Sequence, residues 1–136
     1  AIGTLNVANG AVTSMGYGSG GAGTINAGQS VPVAGVYLEM PSGSSGVVLM
    51  GLGSLNGASG DCSGVLILLK NGNPLAYIDV FVPGNTWFTY NISAFDSNPA
   101  GNNLYQLAFA SPTSGPGSNK PINHKGAAII ATGGKR

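Results

Sequence analysis

Between positions 33 and 132 the sequence falls into short runs of β-branched, aliphatic and aromatic residues. Each run is about 5 to 9 residues long and is closed by a cluster of Gly, Pro, Asn and Ser. No run keeps a 3.6-residue helical period, whereas several alternate with a period of two, so the chain is committed to strands and turns. The periodicity predicts strands over 33–40, 47–52, 65–70, 75–82, 86–93, 104–110 and 127–132. Asn71-Gly72-Asn73-Pro74 is the strongest turn, because Asn-Gly accepts the positive φ values of a tight hairpin.

Alternation also predicts which side chains share a face. Tyr105, Leu107 and Phe109 lie together, and Ala76, Ile78, Val80 and Val82 are expected to face a core. The nearly continuous apolar run 47–52 reads as a strand buried on both faces. Upstream, residues 1–30 are a Gly-rich segment expected to be an N-terminal arm or short strands near 3–7, 11–17 and 23–26, ahead of a β-sandwich domain at 31–136. The expected fold class is all-β: a two-sheet antiparallel sandwich, first a single jelly roll of about eight strands, next an immunoglobulin-like Greek key. The single Trp and the absence of a Cys pair disfavour a true immunoglobulin domain.

Composition enters where partners are concerned. Charged residues are 7% of the 136 and net charge is +1, so there is too little Lys and Arg to neutralise phosphates and a nucleic-acid partner is not expected. No apolar run approaches the ~18 residues of a membrane span, so no membrane role is expected either. With hydrophobic residues at 43%, such a surface suits coverage by neighbouring subunits.

Chemistry is sparse. One His, one Cys and four carboxylates make up the catalytic inventory, and the carboxylates Glu39, Asp61, Asp79 and Asp96 sit singly in four segments. No glycosidase pair, metal cluster or nucleophile elbow is visible, so no catalytic residue, metal or cofactor is expected. His124 reads as a solvated loop or interface histidine, and Cys62 beside Asp61 as an inert thiol. The run Gly16-Tyr17-Gly18-Ser19-Gly20-Gly21-Ala22-Gly23 formally matches G-x-G-x-x-G, but no helix follows it, and it reads as a flexible connection. Trp87 with Tyr90 and Tyr37 offers a sugar-stacking platform, against the commoner use of strand aromatics in cores and interfaces.

A broader pattern runs from Gly46 to Phe109: an apolar strand, Lys70-Asn71-Gly72-Asn73-Pro74-Leu75, the Pro83-Gly84-Asn85 turn, a Thr/aromatic strand, and Pro99-Ala100-Gly101-Asn102-Asn103-Leu104-Tyr105-Gln106-Leu107. It resembles bacteriophage virion jelly rolls over about half the chain, with Asn102 or Asn103 where those proteins often carry His. The resemblance implies a non-enzymatic capsid decoration (cement) protein or a head- or tail-fibre domain, often trimeric. Its partners would be copies of itself and the major capsid or another virion protein. Its place would be the capsid surface, after assembly in the host cytoplasm. Ile2, Leu5 and Val7 of the arm and Trp87, Phe88 and Tyr90 of the aromatic strand are the candidate inter-subunit contacts. Two other roles stay open: a carbohydrate-binding fibre or lectin-like module, and a filament subunit assembled by β-strand addition.

Overall fold

The computed structural model describes residues 13–134. These residues form β1 (Thr13–Ser19), β2 (Gly23–Ile25), β3 (Ser30–Met40), β4 (Gly46–Gly57), β5 (Cys62–Lys70), β6 (Asn73–Val82), β7 (Phe88–Asp96), β8 (Gly101–Ala110) and β9 (Ile122–Gly134). One sheet runs β1-β9-β4-β7, with β2 also paired to β9, and the other runs β3-β8-β5-β6. Every pairing is antiparallel. Each sheet interleaves strands from early, middle and late in the chain, the jelly-roll wrapping of two Greek keys. Within the segment expected to be an arm or short strands, Thr13–Ser19 and Gly23–Ile25 pair with β9 in the first sheet, and Ile25 is fully buried. The strand expected near 3–7 lies outside the described residues.

The core sits between the sheets. Tyr105, Leu107 and Phe109 of β8, Leu66 and Leu68 of β5, Leu49 and Leu55 of β4 and Ile129 of β9 are all fully buried. Burying such side chains contributes roughly 1.5–3 kcal/mol each. The β5–β6 hairpin turns at Asn71 (φ 51°) and Gly72 (φ 86°), the left-handed pair that Asn-Gly accepts at low cost.

Three expectations are corrected. First, β4 is not buried on both faces: Val47 and Leu49 are fully buried, while Val48 is 55% and Met50 47% exposed. The run is continuous because its outward positions are apolar as well. Second, β6 is an edge strand, so its inward face is only partly covered; Val82 is buried but Ile78 is 46% exposed. Third, the glycine run is not a flexible connection. Gly16 and Gly18 lie in β1 facing β3, and a Cβ on Gly18 would stand 2.0 Å from the Gly35 carbonyl oxygen. One on Gly20 would stand 1.6 Å from the Val33 oxygen, so the sheets meet here backbone to backbone.

Candidate functional site

The outer face of the β1-β9-β4-β7 sheet changes character along its strands. At one end Thr132 pairs with Met15 on one side and Val48 on the other, and Val48 pairs with Phe95. In the next outward row Ile130 lies between Tyr17 and Met50. Met15 is 71% exposed and Phe95 59%, and the described outward positions of these rows carry no charge. Between Met15, Tyr17 and Ile130 lies a hollow of about 250 Å³. Four strands at about 4.8 Å and two outward rows at about 6.8 Å span roughly 260 Å², close to the size of the largest apolar patch on a typical monomer, which is often functional.

Further along the same strands the face becomes polar. Thr24 donates from Oγ1 to Asn123 Oδ1 (2.8 Å), and Asn123 Nδ2 reaches Asn56 Oδ1 (3.4 Å). Asn56 Nδ2 donates in turn to the carbonyl of Thr86 (2.8 Å), tying the face to the β6–β7 loop. Ser54 and Thr89 share a hydroxyl hydrogen bond (2.9 Å) across β4 and β7. Here Lys125 Nζ sits 4.2 Å from the centroid of the Trp87 ring, a cation–π contact.

The interior beneath the two ends differs too. Behind the apolar end, Asp96 is buried and receives Lys70 Nζ (2.9 Å to Oδ2), Tyr105 Oη (2.6 Å) and the Asn98 amide (3.1 Å). Burial alone would raise the Asp96 pKa. The hydrogen bonds from Tyr105, Lys70 and Asn98, with the Lys70 charge, outweigh it and hold the carboxyl below its usual range. Burial first, and then the Asp96 partner, push the Tyr105 phenol up. Behind the polar end, His124 is opposite the buried Leu55, and its ring meets Phe109 edge-on at 5.9 Å between centroids. It is therefore a core residue of β9 and not a solvated loop or interface histidine. Its Nδ1 is buried without a hydrogen-bond partner among the described residues, and burial lowers its pKa.

The sequence-predicted contact residues are dispersed. Trp87 lies on the polar end of the outer face, whereas Phe88 and Tyr90 alternate to the opposite, inter-sheet side, where Tyr90 packs against the core and Phe88 stays 51% exposed, their rings edge to face at 6.3 Å. Tyr90 donates its hydroxyl to the carbonyl of Phe81, bridging the two sheets within one chain. Tyr37, 67% exposed, is on β3 at the opposite side of the sandwich, so Trp87, Tyr90 and Tyr37 form no common platform. Ile2, Leu5 and Val7 lie outside the described residues. Cys62 is buried, and burial raises its thiol pKa; Lys120 opposes the shift and Asp61 adds to it. Among the described residues no three His, Cys, Asp or Glu side chains gather to hold a metal. What sequence reasoning missed is the apolar outer end. Its signal is the unbroken hydrophobicity of 47–50 joined to Met15, Tyr17 and Phe95 by register.

No protein-family model matches this sequence, and no curated protein does. Solved structures share the fold. A chain in the structure of infectious bursal disease virus Gt strain superposes with TM-score 0.58 and 8% identity, over 91% of this chain and 38% of that one. The VP2 subviral particle of infectious bursal disease virus gives 0.55 and 7%, over 89% of this chain and 32% of the other. Eiger TNF from S. frugiperda gives 0.55 and 10%, over 91% and 92%. At these identities the likeness is one of fold.

Proposed function

We propose that this chain is a structural virion protein, a capsid decoration (cement) protein that self-associates through the apolar end of the β1-β9-β4-β7 face. The observation that carries the reading is the outward cluster of Met15, Tyr17, Val48, Met50, Phe95 and Ile130. A second copy is the occupant that fits. A face without charge meets itself with no like-charge repulsion and leaves no ion desolvated, and apolar contact contributes about 25 cal/mol per Å² buried. The patch is smaller than the roughly 800 Å² per partner of a stable pair. Where the apolar ends of three copies converge on a threefold axis, each patch meets two others and gains what a single pairwise contact lacks. The jelly-roll fold shared with virus particle proteins is compatible with this role, and so is the low charge, which suits a surface covered on assembly.

The test is the absolute mass of the purified protein by light scattering. The expected result is a discrete trimer that Met50→Lys converts to monomer without loss of the β circular-dichroism signal. A wild-type monomer at all concentrations refutes self-association. Open-ended polymers refute the closed trimer and favour the filament.

A further inference from the structure

The opposite sheet carries a second feature that self-association does not use. On β6, Tyr77, Asp79 and Phe81 point outward in alternation, and Phe81 is 61% exposed beside Ser63 of β5. The loop after β8 folds back to face them and is tied down along its length. The Ser63 amide donates to the Gly117 carbonyl (3.0 Å) and its hydroxyl to the Pro116 carbonyl (2.7 Å). The Asn119 amide donates to the Pro112 carbonyl (2.7 Å), and Ser111 Oγ to the Lys120 carbonyl (2.7 Å). Between this fixed wall and the Asp79 and Phe81 side chains is a groove of about 380 Å³, inside the ~300–1,000 Å³ range of small-molecule sites.

The lining dictates the ligand. Phe81 presents a largely bare aromatic ring. Asp79 is acceptor-only, and among the described residues it makes no hydrogen bond or ion pair, so both of its oxygens are free for hydroxyl donors. Pro112 and Pro116 give an apolar wall, and the Ser114 hydroxyl adds a donor and acceptor at its edge. The carboxylate repels anions. A single ring does not make the aromatic cage that holds an organic ammonium. What remains is a ring with one apolar C–H face and adjacent hydroxyls.

We propose that this groove binds a neutral saccharide, its pyranose ring stacked on Phe81 and its hydroxyls donating to Asp79. The site lies on the sheet facing away from the self-association surface, so an assembled trimer leaves it open. The inference goes beyond the structural role and does not depend on it.

Saturation-transfer NMR on the intact protein tests it, with lactose, maltose, cellobiose and chitobiose as neutral probes and tetramethylammonium as the cationic control. At least one disaccharide is expected to receive saturation. Phe81→Ala and Asp79→Asn should each weaken that binding about tenfold or more, and Tyr77→Ala, outside the groove on the same strand face, should leave it unchanged. Circular dichroism and light-scattering mass, read on each variant, separate loss of the site from loss of fold or assembly. Transfer to none of the four sugars overturns the proposal. So does transfer that survives Phe81→Ala, or transfer to tetramethylammonium alone.

Discussion

The two ends of the β1-β9-β4-β7 outer face are made by the same four long strands in the same pleat, yet they differ as an interior differs from a surface. At one end the outward rows read Met15, Thr132, Val48, Phe95 and then Tyr17, Ile130, Met50, Ser93. At the other they read Thr24, Asn123, Asn56 and Ser54, Thr89, closed over by Trp87 and Lys125. Beneath them the order is inverted: the Asp96 carboxylate, paired with Lys70, is buried behind the apolar end, and the His124 imidazole behind the polar end. Strand identity therefore does not decide what a sheet face does. The register that aligns remote segments does.

The comparison breaks most completely at Asp96. Asp96→Ala leaves Lys70 without its carboxylate partner and Tyr105 without its acceptor, so the loss in urea denaturation is expected to be about 3–5 kcal/mol. A loss under 1 kcal/mol would show that the network is incidental to the apolar end. Next is Gly18→Ala, which forces a methyl group against the Gly35 carbonyl and loosens β1, the strand that carries Met15 and Tyr17. It should cost about 1–3 kcal/mol in the same assay and lower the light-scattering mass expected from the proposed self-association.

The smallest and most gradual effect is acid, and it separates the ends. His124 is the one histidine, and burial holds its folded pKa below the ordinary imidazole value of 6.5. The unfolded chain thus takes up the proton first, and stability that is full above pH 6.5 is lost as pH falls below it. Asp96 is also depressed, from 3.8, so its contribution is present above that pH and is lost only as pH falls further. Urea midpoints from pH 8 to pH 3 should show two steps, and His124→Gln should remove the upper one alone. A single step in the wild type would mean that one end governs acid stability.

The fold was legible where alternation was clean. Tyr105, Leu107 and Phe109 announce the central strand of a core, and Asn71-Gly72 announces its hairpin. Legibility failed where the decisive neighbour is remote in the chain. Val48 and Met50 look like core residues, and only register with Phe95 and Thr132 puts them on an outer face. Gly16, Gly18 and Gly20 look like a loose connection until β3 is laid against them. His124, flanked by Asn123 and Lys125, looks solvated; it is the alternation of β9 against β4 that turns it inward. The Asp79–Phe81 groove needs the fold-back of residues 111–121, fixed by hydrogen bonds to Ser63 that no local pattern encodes.

The glycine seam has a geometric consequence. Where Gly18 and Gly20 face Gly35 and Val33 of β3, backbone lies against backbone, while on the side where β6 meets β7 a whole tyrosine, Tyr90 reaching to the Phe81 carbonyl, spans the gap. The sandwich therefore tapers toward β1, with Met15 and Tyr17 beside its narrow margin and the Phe81 carbonyl at its broad one.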